Sequence, residues 1–501
     1  MMETVNELPK DGRLNLSFLL QATDPIHTSM DVAVASEPER TSEVPAWNHR
    51  EPETTGCVPG TVDPKFLLLN LSDMLLDEPQ DYQEMDQEFL QFSKYFSTPV
   101  TSVDTLAARV TSLSNILQDL AISKPHLNDG LDQSCQRGFF TTVHFQNALT
   151  FAFRWRYYHK SPIHWPTFDP DRVSLHLLLA VALTGTAYLQ YLNQSSQPFL
   201  TTSLLELSEK HIFKELKRLA NQNISPVTSR HMLEVCQAAV LMNSLEGSFN
   251  HIEGRRRLAG NRIPTLVASL RKSGMLSLEH PPQYDTWEEF VYRETCIRVS
   301  TWTFVNDSLM VLCCNNPPIM TVKEMTGHLP CPNDLWEADS DITFQERARH
   351  RIARSYPSRC SEVVSGVLSA EWTISQAESF RSLDTSDLFY ISAGLLRHVF
   401  HHRTSVVSPD YPTMLFSAFD RWDSLWAHAF ERVPVEERRW LGIVRHSPEM
   451  ITLSRRMTEL CSTEEAKNSA YLQGVTTYDT AVFHDFIQKY GHDGNSTLGN
   501  N

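Results

Sequence analysis

Past Gly138, apolar side chains recur every three or four positions almost without interruption, the spacing of helices that each bury one stripe. The stretch HIFKELKRLANQN from His211 sets Ile212, Phe213, Leu216 and Leu219 on one face and Lys214, Lys217 and Arg218 on another, which predicts an amphipathic helix. In WEEFVYRETCIRVSTWTFVNDSLMVLCC, Trp287, Phe290, Val291, Ile297, Trp302, Val305 and Leu309 keep the same period. This helix is predicted to start at the capping-box variant Asp285-x-x-Glu288 and to stop before Asn315-Asn316-Pro317-Pro318. Glu294 and Arg298 within it pair at i,i+4, worth a few tenths of a kcal/mol on a helix. The longest apolar run, Leu175 to Tyr191, is interrupted by His176, Thr184 and Thr186 and falls short of the roughly 20 residues of a bilayer span, so it reads as a buried helix. Alternating strands bounded by hairpin dipeptides are scarce. The expected fold class is all-α, with short Pro-rich connectors and no repeat of fixed period.

Ahead of that body, the chain from Gln21 to Lys65 carries Pro25, Pro38, Pro45, Pro52, Pro59 and Pro64 among Ser, Thr and Glu. It reads as a disordered arm, because too few apolar groups are available to offset the entropy of ordering. From Phe66 to Phe92, Asp73, Asp77, Glu78, Asp81, Glu84, Asp86 and Glu88 alternate with Leu, Met, Tyr and Phe, and no basic residue intervenes. Two readings stand: an amphipathic helix docked on the body with a solvated acidic face, or a segment that folds onto a transcriptional coactivator. The resulting plan is a mostly disordered arm at 1–64, an acidic amphipathic helical segment at 65–125, a helical domain at 126–400, C-terminal helices at 401–490 and a disordered tail at 491–501.

Composition narrows the function. Lys plus Arg at 44 against Asp plus Glu at 60 leaves a formal charge of −16, so contact with a nucleic acid needs a local basic module. The one candidate is GRRRLAGNRIPTLVASLRKSG, with Arg255, Arg256, Arg257, Arg262, Arg271 and Lys272. Three consecutive arginines could form half of a nuclear import signal or a phosphate patch. The favoured reading is a helix with a solvated basic face over Leu258, Ile263, Leu266, Val267 and Leu270, since a nucleic-acid reader shows a broader stripe or interleaved aromatics. The first residues, MMETVNELPK, place acidic groups where an export signal needs basic ones. Nine cysteines scattered from Cys57 to Cys461 read as reduced thiols of the cytosol or nucleus.

Enzyme signatures are absent from the sequence: no G-x-x-x-x-G-K-[ST] loop, no G-x-G-x-x-G, no G-x-S-x-G elbow and no H-E-x-x-H helix. Cys313 and Cys314 are adjacent, a spacing unsuited to a zinc knuckle or redox pair. They read as core residues. His398 and His402 mimic the second half of a C2H2 finger, with His401 beside them, but the nearest upstream cysteine is Cys360. A helix-end or surface role is expected. No catalytic, cofactor-binding or metal-ligating residue is therefore assigned, no cofactor is implied, no nucleic-acid contact is identified, and the chain is read as a non-enzyme.

Three word-like blocks then carry a resemblance. The run SPIHWPTFDPDRVSLHLLLAVALTGTAYL from Ser161 to Leu189 resembles the opening of the fungal-specific transcription factor domain, with Pro162, Trp165, Pro166, Thr167, Phe168, Leu177, Leu178, Ala180, Gly185 and Ala187 at the matching positions. The stretch from Trp287 to Ala338 is similar to the family's long helix, Pro-Pro linker and closing Leu329, Pro330, Cys331 and Trp336, while Phe419 to Ala429 echoes its Trp-rich late helix. The likeness spans roughly residues 137 to 460 and looks closest to members whose DNA reader is a C2H2 finger pair. Neither such a finger nor a six-cysteine cluster is present, and Cys57 alone precedes Cys135.

The resemblance implies a large helical regulatory domain of inhibitory, ligand-responsive or dimer-forming type. It implies a nuclear protein that controls transcription, with a metabolic or secondary-metabolite gene set as the expected target. Its partners would be a coactivator or the transcriptional machinery, a protein partner or a second copy, with DNA reached only through a missing or partner module. A finger-less partner of a complete factor is the alternative, and an undescribed helical enzyme the third reading. Trp155, Trp165, Phe168, Trp302 and Trp336 are expected to be core anchors.

Overall fold

The computed structural model describes residues 100–154, 161–193, 199–222, 229–248, 251–281, 284, 286–349 and 359–490. The proline-rich arm, the acidic stretch from Phe66 to Phe92, Trp155, Asp285 and the tail from 491 lie outside these residues. The described part is all-α, and its extended backbone amounts to isolated bridges such as His328 to Arg359. No helix among the described residues is long and apolar enough to cross a membrane.

Thirteen principal helices are α1 (Val100–Ile122), α2 (Asn128–Gln136), α3 (Thr142–Arg154), α4 (Leu175–Asn193), α5 (Thr202–Asn221), α6 (Arg230–Ser248), α7 (Ile263–Ser273), α8 (Trp287–Cys314), α9 (Cys360–Leu368), α10 (Thr385–Thr404), α11 (Tyr411–Glu431), α12 (Ser447–Leu460) and α13 (Ala481–Tyr490). Packing passes from α3 to α4, from α4 to α6, from α6 to α5 and α8, from α8 to α10, and from α10 to α11 and α12. One continuous apolar core follows that path from Leu106 on α1 to Tyr490 on α13.

Local sequence explains most of these elements. The apolar run from Leu175 forms α4, buried from Leu177 to Leu183. On α5, Ile212, Phe213, Leu216 and Leu219 are buried while Lys214, Lys217 and Arg218 face solvent. Gly185 lets α4 meet α3: a Cβ at that position would lie 1.7 Å from the Ala148 carbonyl oxygen, so no side chain fits.

Helix α8 differs from its expected form in two respects. It is capped at Thr286, whose Oγ1 accepts from Glu289 N at 3.1 Å, one residue beyond the expected start at Asp285. Every residue from Glu294 to Ser308 is buried, so it is a central helix covered on all sides rather than an amphipathic one. It ends as expected at Asn315, which takes a left-handed φ of 50°. The chain beyond Ser469 returns to cover this end: Thr477 N donates to Cys314 O at 2.9 Å and Tyr471 OH to Leu312 O at 2.6 Å.

Candidate functional site

A cleft of about 300 Å³ opens where the first turns of α6 and α8 converge on the segment from Ile163 to Phe168. On α6 it is lined by Arg230, Leu233, Glu234 and Gln237, and on α8 by Glu288, Val291, Tyr292 and Thr295. Both sets follow i, i+3, i+4, i+7, so each helix gives the cleft one complete face. Ile163, Phe168, Val173 and Leu177 close the floor. Glu234 is buried; its Oε2 accepts from Ser174 N at 2.7 Å at the start of α4, and its Oε1 accepts from Arg230 Nε at 3.1 Å. Gln237 Nε2 donates to Pro162 O at 2.7 Å. The Tyr292 hydroxyl is buried with no well-aligned hydrogen-bond partner, beside the Cys296 thiol. Burial pushes the Cys296 thiol up to about 12 and raises the Tyr292 phenol as well.

The wall carrying Ile163 and Phe168 is held by a buried clamp. Arg298 Nε donates to Glu294 Oε1 at 2.6 Å, with both side chains 0% exposed. Arg298 Nη2 also donates to Cys331 O at 3.0 Å and Nη1 to Ser161 O at 3.4 Å, and its guanidinium lies 4.3 Å from the Trp336 ring centre. Glu294 Oε1 accepts from Cys331 N at 2.9 Å, and His280 Nε2 lies 3.0 Å from Glu294 Oε2. Although burial works to raise it, the Arg298 and His280 partners hold the Glu294 carboxyl below its ordinary value. His164 adds a second tie. Its Nε2 lies 2.7 Å from Trp336 O; a carbonyl only accepts, so Nε2 carries the proton and Nδ1 accepts from Thr167 Oγ1 at 2.8 Å. Burial lowers this imidazole to about 3, which keeps it neutral. The i,i+4 pair of Glu294 and Arg298, expected to be worth a few tenths of a kcal/mol, is thus a core clamp joining Ser161, Cys331 and Trp336.

The profile of the fungal specific transcription factor domain matches residues 139–422. The chain belongs to that family. Within the fungal specific transcription factor domain, the clamp ties together the two most word-like blocks of the sequence, Ser161 to Leu189 and Trp287 to Ala338. Over 406 residues the chain is 23% identical to transcription factor verF of Penicillium polonicum, a match covering 71% of this chain and 53% of that protein. The chain therefore spans about half the length of the curated relative it matches. No solved structure matches it. The family match ends at Trp422, inside the third block, where Trp422 Nε1 donates to Leu388 O at 2.9 Å and the ring stacks on Trp426 at 5.2 Å.

The basic run of this family domain is less solvated than expected. Leu258, Ile263, Leu266, Val267 and Leu270 are buried, and Arg256, Arg271 and Lys272 are exposed, as the helical reading requires. Arg255 and Arg262 are buried instead. Arg255 Nε donates to Tyr478 O at 2.7 Å. Arg262 pairs with the buried Glu209, to which Arg257 Nε also donates at 3.3 Å. Residues five apart on an α-helix point about 140° apart, but Leu258–Arg262 forms a π turn, whose i→i+5 closure brings both arginines to one carboxylate. Glu246 shares the cluster, with Arg257 Nη2 3.9 Å away. Burial, then the charge of Glu209, raises its carboxyl to about 7.

The remaining sequence candidates fall elsewhere. His398, His401 and His402 gather around Tyr411 at the end of α10, with His398 Nδ1 2.7 Å from the Tyr411 hydroxyl and the His402 ring stacked at 5.9 Å. Burial lowers His398 to about 4. Cys314 is buried and Cys313 half-buried at the end of α8, and burial raises both thiols. Trp302 and Trp336 are core anchors, whereas Trp165 and Phe168 are half-buried, and Phe168 lines the cleft. No group of three or more His, Cys, Asp or Glu side chains placed to hold a metal occurs among the described residues. Sequence reasoning missed Arg230, Glu234, Gln237 and Tyr292. The i, i+4, i+7 spacing of Arg230, Glu234 and Gln237 was visible, but polar positions at that spacing ordinarily mark a solvated face.

Proposed function

We propose that the chain is a fungal transcriptional regulator that acts in the nucleus, with the helical body as its regulatory part. DNA is read by a different module or by a partner, and the acidic segment Phe66 to Phe92 recruits a coactivator. The observation that carries the reading is the family match across residues 139–422. The relative that shares 23% identity carries the name of a transcription factor, which supports the same class. Four of the buried charges have a structural role: Glu294, Arg298, Asp307 and Arg397 are engaged with one another and with backbone groups. Control of a metabolic or secondary-metabolite gene set belongs to this proposal.

Tethering the chain to a foreign DNA-binding domain in a fungal reporter strain tests it. Transcription of the reporter should change, and deletion of Phe66 to Phe92 should reduce activation. An unaffected reporter, with the fusion present in the nucleus, refutes the reading. The purified chain alone should bind duplex DNA weakly, without sequence preference, and with affinity that collapses as salt rises.

A further inference from the structure

We propose that the cleft between α6 and α8 binds a small amphipathic amine, a molecule with an apolar ring body and one ammonium group. This assignment goes beyond the regulatory reading, and binding can be measured whether or not that reading holds. The size fits: about 300 Å³ is at the small end of ligand sites, which are mostly apolar with a few placed polar groups. Leu177, Leu233, Val291 and Phe168 supply an apolar surface, and Tyr292 lines the same wall with its hydroxyl buried.

Charge selects the sign of the ligand. The cleft holds one cation, Arg230, and two carboxylates, Glu234 and Glu288. Arg230 is already engaged with Glu234 at 3.1 Å. Glu288 is exposed at the rim with no ion-pair partner among the described residues. Glu234 also feels the charge of Arg109, so Glu288, in the first turn of α8, keeps the helix N-terminus as its counter-charge and is the carboxylate left without a side-chain cation beside the apolar space. An ammonium satisfies Glu288, and the cleft is lined by the aromatic residues Phe168 and Tyr292, a residue type that suits a cation. A carboxylate ligand of the same shape meets two like charges and one occupied arginine, which is a repulsive arrangement. The overall charge of −16 draws cations toward the surface as well.

Titration calorimetry on the full chain tests the proposal with two probes that share an indole ring and differ in charge, tryptamine and indole-3-propionate. Tryptamine should bind saturably with one site, and indole-3-propionate at least about tenfold more weakly, the cost of like-charge placement. Glu288→Gln lies on an exposed position and should weaken tryptamine several-fold without changing the helical circular dichroism signal. Val291→Trp fills the space and should abolish tryptamine binding, while Glu253→Gln, on an exposed residue that does not line the cleft, should leave it unchanged. Equal affinity for the two probes, tryptamine binding indifferent to Glu288→Gln and Val291→Trp, or no saturable tryptamine binding up to millimolar concentration would each overturn the assignment.

Discussion

Removing Arg298 probes the clamp that positions the cleft wall. In Arg298→Ala, Glu294 keeps Cys331 N at 2.9 Å and His280 at 3.0 Å but loses its bound cation in a site with 0% exposure. Breaking a buried pair from one side costs ~3–5 kcal/mol. The Cys331 carbonyl also loses a donor at 3.0 Å, worth ~1–3 kcal/mol when a buried acceptor is left unmade, and the guanidinium contact with Trp336 disappears. The terms overlap, so the expected total is about 4–6 kcal/mol, a large part of the ~5–15 kcal/mol that holds a domain together. Urea unfolding followed by circular dichroism reads this loss as a fall in the midpoint. The double variant Arg298→Leu with Glu294→Leu removes both charges and should be clearly less destabilised than Arg298→Ala, because no unpaired ion remains. A single variant within about 1 kcal/mol of the parent, below any uncompensated buried charge, would refute the clamp. So would a double variant that falls by the sum of the two single losses.

Other expectations follow from the same packing. Gly185→Ala forces a methyl group into the Ala148 carbonyl; backbone cannot rotate away as a side chain can, so the loss should reach at least the ~3 kcal/mol upper end for overpacking, read by urea titration. Glu246→Gln should alter the pH dependence of stability. The folded-state pKa of Glu246 is raised to about 7 against an unfolded value near ~4.3, so stability present below pH ~4.3 is lost as pH rises through about 7. The variant should therefore match the parent in acid and gain stability, on the order of a few kcal/mol, at alkaline pH. A gain confined to acid contradicts the sign. Trp422→Phe gives up the bond to Leu388 O at 2.9 Å and part of a buried ring, and should cost ~2 kcal/mol by thermal unfolding. A chelator should leave the unfolding midpoint where it is, since a bound structural metal adds stability by mass action; a drop would direct mutagenesis to His398 and His402.

Periodicity is a local property, and what depends on it was legible in the chain. The faces of α5, the buried run of α4 and the stop of α8 at Asn315 all follow from 3.6-residue spacing and from the conformations that Asn and Pro allow. Family membership was legible for a related reason, because Trp165-Pro166 and Leu329-Pro330-Cys331 are short local words of the sequence. Burial is not local. Glu294 and Arg298 have the same i,i+4 spacing whether they face water or core, and the arrival of Ser161, Cys331 and Trp336 from distant parts of the chain decides between a few tenths of a kcal/mol and several. Arg257 and Arg262 share Glu209 through a π turn that no spacing rule announces. The polar stripe of Arg230, Glu234 and Gln237 reads as a solvated face until α8 and the Phe168 segment close over it. The sequence alone determined which helices form and roughly where they end. The tertiary structure decided which polar groups left water, because desolvation depends on every neighbour in space and not on the next turn of the same helix.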